Sequence, residues 1–253
     1  MRLYDTLIIG SGYSSAGYAL THKNTIVIEE NQCVDVGFYL PLRSFIHTQY
    51  NPVTEYGKKL NKTFEKYNLF SGGYMCTNCF ESAFCEFLSK EDIEIILKCR
   101  IVEMNKQKDG IYKVVICSNE GLSTIYAKNI IDTTVSVATS EKYMTVLFVA
   151  ENFDDAKISL LKVSQSAVFS KAFYDKRYAM HLPCGDIDDV NEMLCFIHDK
   201  WLLSGTDAKV LYIPPVFYPV KSDTNRNGFQ NDFCFSNPIA AFEAGISFAG
   251  GNE

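Results

Sequence analysis

The sequence lacks a long apolar run, an excess of basic charge and any stretch of low complexity. Its longest largely apolar stretch, Tyr143–Ala150 (YMTVLFVA), falls far short of the roughly 20 residues with which a helix crosses a bilayer, so no membrane association is expected. Lysine and arginine number 24 against 30 acidic residues, giving a formal net charge of −6. That balance leaves no basic footprint for nucleic acid. No internal repeat is visible, which excludes a repeat scaffold. An apolar strand pattern starts at Leu3 and leaves no room for a secretory leader, so a cytoplasmic protein is expected.

Motifs of several chemistries are missing as well. There is no GxSxG elbow for a hydrolase triad. The four histidines, His22, His47, His181 and His198, show no HExxH or other paired spacing that would hold a metal. The nine cysteines are odd in number and diluted over 253 residues, which argues for small buried hydrophobes rather than a disulfide framework. Cys76, Cys79 and Cys85 lie together in MCTNCFESAFCEFL and invite a dithiol or metal reading. An apolar helix face of Met75, Cys79, Phe80, Ala83, Phe84, Phe87 and Leu88 accounts for them without chemistry, and no second ligand pair is present elsewhere.

What remains is an ordinary globular composition, with 47% hydrophobic, 13% aromatic and 21% charged residues, and a length that suits one large domain or a main domain with an insertion. The most informative segment is Tyr4–Glu30, YDTLIIGSGYSSAGYALTHKNTIVIEE. Leu7, Ile8 and Ile9 form a continuous apolar run, as in a parallel strand covered on both faces. Gly10 and Gly12 permit a tight turn with the backbone close to a diphosphate, and the amides that open the following helix face that anion. The second strand, Thr25–Ile28, ends at Glu29, whose carboxylate is placed to accept both ribose hydroxyls of an adenosine and to repel the extra phosphate of NADP. Ser15 stands at the third glycine position and Gly17 is the next glycine.

This segment resembles the amino terminus of FAD-dependent oxidoreductases with two dinucleotide-binding motifs, the glutathione reductase and p-hydroxybenzoate hydroxylase group. Asp92–Asp132 resembles the middle of such proteins, with turns at Lys106–Gly110 and Ser118–Gly121 and a closing IIDTTV, Ile130–Val135. Ser236–Gly251 is similar to their last helix, with Ser236 or Asn237 as cap, Pro238 in the first turn and a slim face of Ala240, Ala241, Ala244 and Gly245 for packing on the sheet. The sequence departs from the group at Ser15, at Val135 in place of a glycine, and at Asp232, which only loosely replaces the usual Gly-Asp pair. The resemblance implies FAD as cofactor. It implies contacts from Gly10, Gly12, Ser14 and Ser15 in the turn and from Glu29 and Glu30 after the second strand. Further contacts are implied at Ile101, Thr133 and Thr134, and at Asn237, Pro238 and Ile239, whose helix start would face the flavin or the diphosphate.

The expected fold is α/β: a Rossmann-like FAD-binding domain with a parallel sheet, residues 1–135 and 212–253, carrying a small antiparallel α+β substrate or cap domain, residues 136–211. Within that insertion, Tyr143–Ala150, Ile158–Val163, Ala167–Phe173 and Arg177–Leu182 read as strands of a meander. A helix capped by Asp186 follows, with Ile187, Val190, Leu194, Ile197 and Trp201 as its stripe. His47 and His181 are the histidines best placed to face a flavin. The function expected is oxidation of a small-molecule substrate by hydride transfer to flavin. A degenerate flavin-fold binding or assembly subunit, working with a protein partner or a second copy of the chain, stays open, as does an NAD-binding enzyme.

Overall fold

The computed structural model describes residues 2–35, 37–38, 50–71, 74–75, 79–134, 141–162, 164–172, 175–219 and 228–248. The first layer comprises β1 (Leu3–Ile9), α1 (Tyr13–Thr21), β2 (Thr25–Ile28), α2 (Glu55–Lys66) and the short pair β3 (Phe70–Ser71) and β4 (Tyr74–Met75). It continues with α3 (Phe80–Leu88), β5 (Glu94–Ile96), β6 (Arg100–Lys106), β7 (Tyr112–Ser118) and β8 (Gly121–Asp132). Six of these strands form one sheet in the order β5-β2-β1-β8-β7-β6. Its β5-β2-β1-β8 half is parallel, whereas β8-β7-β6 is an antiparallel extension, so the sheet is mixed rather than parallel throughout. The apolar run at Leu7–Ile9 lies in the central strand, where Leu7 and Ile8 are fully buried because both faces of the sheet are covered.

The second layer comprises β9 (Lys142–Val149), α4 (Phe153–Leu160), β10 (Val168–Lys171), β11 (Arg177–Pro183), α5 (Val190–Ser204), β12 (Lys209–Tyr212) and β13 (Tyr218–Pro219). Its sheet runs β10-β11-β9-β12, with β13 also paired to β9. Three expectations are corrected. Ile158 lies in α4 and not in a strand, because Asn152 caps a helix whose first turn carries Asp154 and Asp155. The meander is replaced by an arrangement centred on β9. Asp189, not Asp186, caps α5 by accepting from the Glu192 amide. Met144, Val146 and Phe148 of β9 join Met180 and Leu182 of β11 on the face that packs against Met193 and Ile197 of α5.

Beyond a 3-10 turn at Asp232–Cys234, the chain closes with α6 (Pro238–Ser247). Asn237 caps it, accepting from Ile239 and Ala240, with Pro238 in the first turn. The slim face of α6 packs on α1 rather than on the sheet. A Cβ added at Gly245 would collide with the Ser14 carbonyl, and one at Gly17 with that of Phe242, so the two backbones touch without intervening side chains. Around this crossing, Tyr13, Phe64, Phe84, Phe87 and Phe242 build the aromatic core under α2 and α3. Met75 lies in β4 and Cys79 is the residue before α3, so neither sits on the helix face expected for them. Cys76 and His47 lie outside the described residues.

A buried carboxylate ties α6 to α2. Glu243 accepts from Tyr50 Oη at 2.7 Å, from the amides of Val53 and Thr54 at 2.9 and 2.6 Å, and from Thr54 Oγ1 at 2.7 Å. Burial pushes its carboxyl up, but these hydrogen bonds outweigh burial and hold it below the ordinary glutamate value of 4.5. A group depressed in the folded state contributes stability above its unfolded value and loses it as pH falls through its folded value. Glu243→Gln is therefore expected to cost about 1–3 kcal/mol at neutral pH. In urea unfolding across a pH series, the gap to wild type narrows below pH 4.5; a gap that stays constant with pH would contradict the role.

Candidate functional site

The parallel strands all end on one side of the sheet, and the crevice outside the carboxyl ends of β1, β2 and β8 is the usual ligand position in such folds. A cavity of about 440 Å³ opens there. Its walls come from the β1–α1 turn (Ile9–Gly12 and Ser14), from Ile28–Asn31 after β2, from Cys99–Ile101 at the start of β6 and from Thr133–Thr134 after β8. Val216–Tyr218, which lead into β13 of the second sheet, and Asn231–Phe233 complete the lining. The cavity thus runs along the first sheet and ends against the second.

Of the residues expected to bind cofactor, Gly10, Gly12, Ser14, Glu29, Glu30, Ile101, Thr133 and Thr134 line this cavity. Ser15 is fully buried one residue deeper in α1, with its Oγ 3.4 Å from Thr133 Oγ1. Asn237, Pro238 and Ile239 are not among the lining residues. They are buried at the start of α6, where the Asn237 side chain already takes the amides of Ile239 and Ala240. Asp232, Asn31, Arg100 and the Val216–Tyr218 segment line the cavity without having been foreseen as site residues. Asp232 offered one signal in the sequence, as the acid nearest the last helix; the others offered none.

Glu29 does something other than wait for a ribose. Its Oε2 accepts from the Ser11 amide at 2.8 Å and Ser11 Oγ at 3.1 Å, and its Oε1 from the Asn31 amide at 2.8 Å and Asn31 Nδ2 at 2.7 Å. A carboxylate offers about four acceptor positions, and here the protein fills them. Glu29, 5% exposed, therefore fastens the glycine-rich turn to the loop after β2. The neighbouring Glu30 is exposed and faces the Arg100 guanidinium at 3.4 Å, so the pair at the cavity mouth is free to exchange partners at little cost.

A second carboxylate holds the amino end of α1. Asp232 accepts from the Tyr13 amide at 2.8 Å, the Ser14 amide at 2.9 Å and Ser14 Oγ at 2.7 Å. Next to it, Tyr13 Oη donates to Asp35 at 3.2 Å. Burial, followed by the charges of Asp35 and Asp232, pushes the Tyr13 phenol well above its ordinary value, which keeps its proton in place for that bond.

On the far wall, Tyr218 is hydrogen-bonded at 2.6 Å to Nδ1 of His181, a fully buried histidine that also meets Thr145 Oγ1 at 3.3 Å and, through Nε2, Ser170 Oγ at 3.2 Å. His181 is thus a satisfied histidine one residue behind the cavity wall. Cys99 lines the cavity, but burial raises its thiol, which leaves it a poor nucleophile. Among the described residues no cluster of three metal-ligating side chains occurs, and no helix is long and apolar enough to cross a membrane.

Neither known protein families nor curated proteins match the sequence. Solved structures do match the fold. A flavoprotein/dehydrogenase from Cytophaga hutchinsonii superposes with a TM-score of 0.53 at 12% identity, covering 97% of this chain and 76% of its own. The p-nitrophenol 4-monooxygenase PnpA from Pseudomonas putida DLL-E4 gives a TM-score of 0.51 at 12% identity, with coverage of 86% and 68%. BexE, studied for oxidation during BE-7585A biosynthesis, gives 0.52 at 10% identity, with coverage of 96% and 60%. The chain has the α/β fold of this flavoprotein and monooxygenase group and spans between 60% and 76% of the length of these three proteins.

The geometry at Glu29 gives a direct expectation. Glu29→Ala strips the buried amides of Ser11 and Asn31 of their acceptor, at a cost of about 1–3 kcal/mol for each group left unsatisfied. Chemical denaturation of the ligand-free protein should show a clearly lowered midpoint; an unchanged midpoint would mean that the carboxylate serves only a ligand.

Proposed function

We propose that the protein is an FAD-dependent oxidoreductase acting on a small-molecule substrate. The observation that carries this reading is the single cavity wall joining the glycine-rich turn, the loop after β2, Ile101 and Thr133–Thr134 to the second sheet at Val216–Tyr218. The residues present fit the cofactor: a glycine-rich turn between the central strand and α1, strand ends that open on one crevice, and a cavity within the range of cofactor sites. The names of two structural neighbours, a flavoprotein/dehydrogenase and a monooxygenase, support the same class.

In this reading Gly10–Gly12 and Ser14 cradle the diphosphate, and Glu30, Arg100 and Ile101 border the adenosine. Thr133 and Thr134 edge the flavin, with Tyr218 across from them. When bound, the flavin would supply the hydride acceptor, and the substrate would lose a hydride with its two electrons. Tyr218, held by His181, fixes the outer wall and excludes water from the far end of the cavity. Residues 1–135 with 212–253 form the cofactor domain and 136–211 the cap, β13 reaching from the former to pair with β9 of the latter. The protein works in the cytoplasm, in keeping with free thiols at its described cysteines. A second reading, a flavin-fold subunit without turnover, is favoured by one observation: Asp232 and Glu29 already hold amides of the glycine-rich turn.

Purified protein tests both. Flavin absorbance in the visible, with FAD released on denaturation, and bleaching by a substrate panel are expected for the enzyme. Bound FAD that no substrate bleaches favours the second reading, and protein that stays colourless after incubation with FAD overturns the cofactor assignment.

A further inference from the structure

The second sheet ends in an edge strand that the fold leaves unguarded. β12 pairs with β9 on one side and is the last strand in the order β10-β11-β9-β12. Among the described residues its backbone makes no hydrogen bond beyond that ladder, and all of its residues, Lys209–Tyr212, are exposed. Val210, Leu211 and Tyr212 are 38%, 46% and 52% exposed, and Leu202 and Leu203, at the end of α5, are 68% and 80% exposed. Trp201 Nε1 donates to the Ala208 carbonyl at 3.1 Å, which holds the end of α5 against the start of β12, so these apolar side chains flank one edge. Unpaired amides and carbonyls on a free edge are a template for another strand, and proteins usually blunt such an edge with charge. β6, the end strand of the first sheet, carries Arg100, Glu103 and Lys106. β12 carries Lys209 at its first position and only apolar or aromatic side chains after it.

We propose that β12 is the dimerisation edge of this protein: two copies meet about a two-fold axis normal to the second sheet, β12 pairs antiparallel with its counterpart, and the two sheets become one. The charges around the edge fit a second copy. Asp199, Lys200, Asp207 and Lys209 give two acids and two bases, so this region is neutral in a protein of net charge −6. Like charge therefore does not hold two copies apart here as it does over the surface at large. A two-fold contact sets one patch against itself, which suits an edge that is apolar and neutral. Pairing centred on Val210 or Leu211 also keeps the two Lys209 side chains from standing directly opposite each other, where like charges would cost stability. The strand backbones supply the hydrogen bonds, and Leu202, Leu203 and Leu211 supply apolar area beside them. None of this depends on what the cavity binds.

Sedimentation velocity of the full chain across a concentration series is the test, for wild type, Leu211→Lys and Leu211→Glu, with folding checked by circular dichroism. Wild type is expected at twice 28.6 kDa. Each variant alone sets two like charges across the axis, and its dimer dissociation constant should rise about tenfold or more. Mixing the two variants sets opposite charges across the axis and should restore the dimer. Leu211 is exposed, so neither charge enters the core; should either variant misfold, Leu203→Lys and Leu203→Glu take their place. Amide hydrogen exchange of wild type reads the strand itself, with protection of Val210–Tyr212 expected to grow with protein concentration. Wild type that stays monomeric at about 100 µM, where a dimer with a dissociation constant of that order would show, overturns the proposal. So does a dimer that both variants keep, a mixture of the variants that stays monomeric, or exchange at Val210–Tyr212 that is the same at every concentration.

Discussion

The structure turns on how the glycine-rich turn after the central strand is held. Two buried carboxylates grip it from opposite sides, Glu29 through Ser11 and Asp232 through the amides of Tyr13 and Ser14. Each bond spans a different distance in the chain. Glu29 joins the turn to the next strand, and Asp232 brings a segment more than two hundred residues away to the same helix start. With the turn fixed, α1 is fixed, and α6 can lie against it at backbone contact. Glu243 on α6 then anchors the start of α2, and the aromatic core of Tyr13, Phe64 and Phe84 closes beneath. Buried carboxylates are costly unless fully hydrogen-bonded, and in this protein they are placed where free amide donors gather.

The same constraint shapes the cavity. The ends of β1, β2 and β8 border a crevice, and Val216–Tyr218, leading into β13, line it as well. The exposed Glu30–Arg100 pair and the buried Tyr218 both border that crevice. The protein does not leave all donors of the turn to a ligand, since Glu29 holds the Ser11 amide and Asp232 those of Tyr13 and Ser14.

Much of the first layer was legible in the sequence because it is local. The apolar run at Leu7–Ile9, the glycines of the turn and the strand ending at Glu29 obey short-range rules, and the turns at Lys106–Gly110 and Ser118–Gly121 sit where β6, β7 and β8 meet. The second layer was less legible. Ile158 reads as strand by its neighbours, yet the Asn152 cap with Asp154 and Asp155 turns the segment into α4. The order of its sheet depends on long-range pairing with β9, which no periodicity encodes. For the site, type and place were readable but partners were not. Glu29 is expected to hold a ribose, and nothing in the sequence hinted that its carboxylate would also accept from Ser11 and Asn31. The slim face of α6 was expected on the sheet and lies on α1, since packing partners depend on tertiary contacts and not on the face itself.

The central claim, that this cavity receives FAD, is tested most directly by amide hydrogen exchange of the wild-type protein with and without FAD. Slower exchange confined to the lining backbone, Gly10–Ser14, Glu29–Asn31, Arg100–Ile101 and Val216–Tyr218, is the result the account predicts. Protection elsewhere, or no change at saturating FAD, would contradict it.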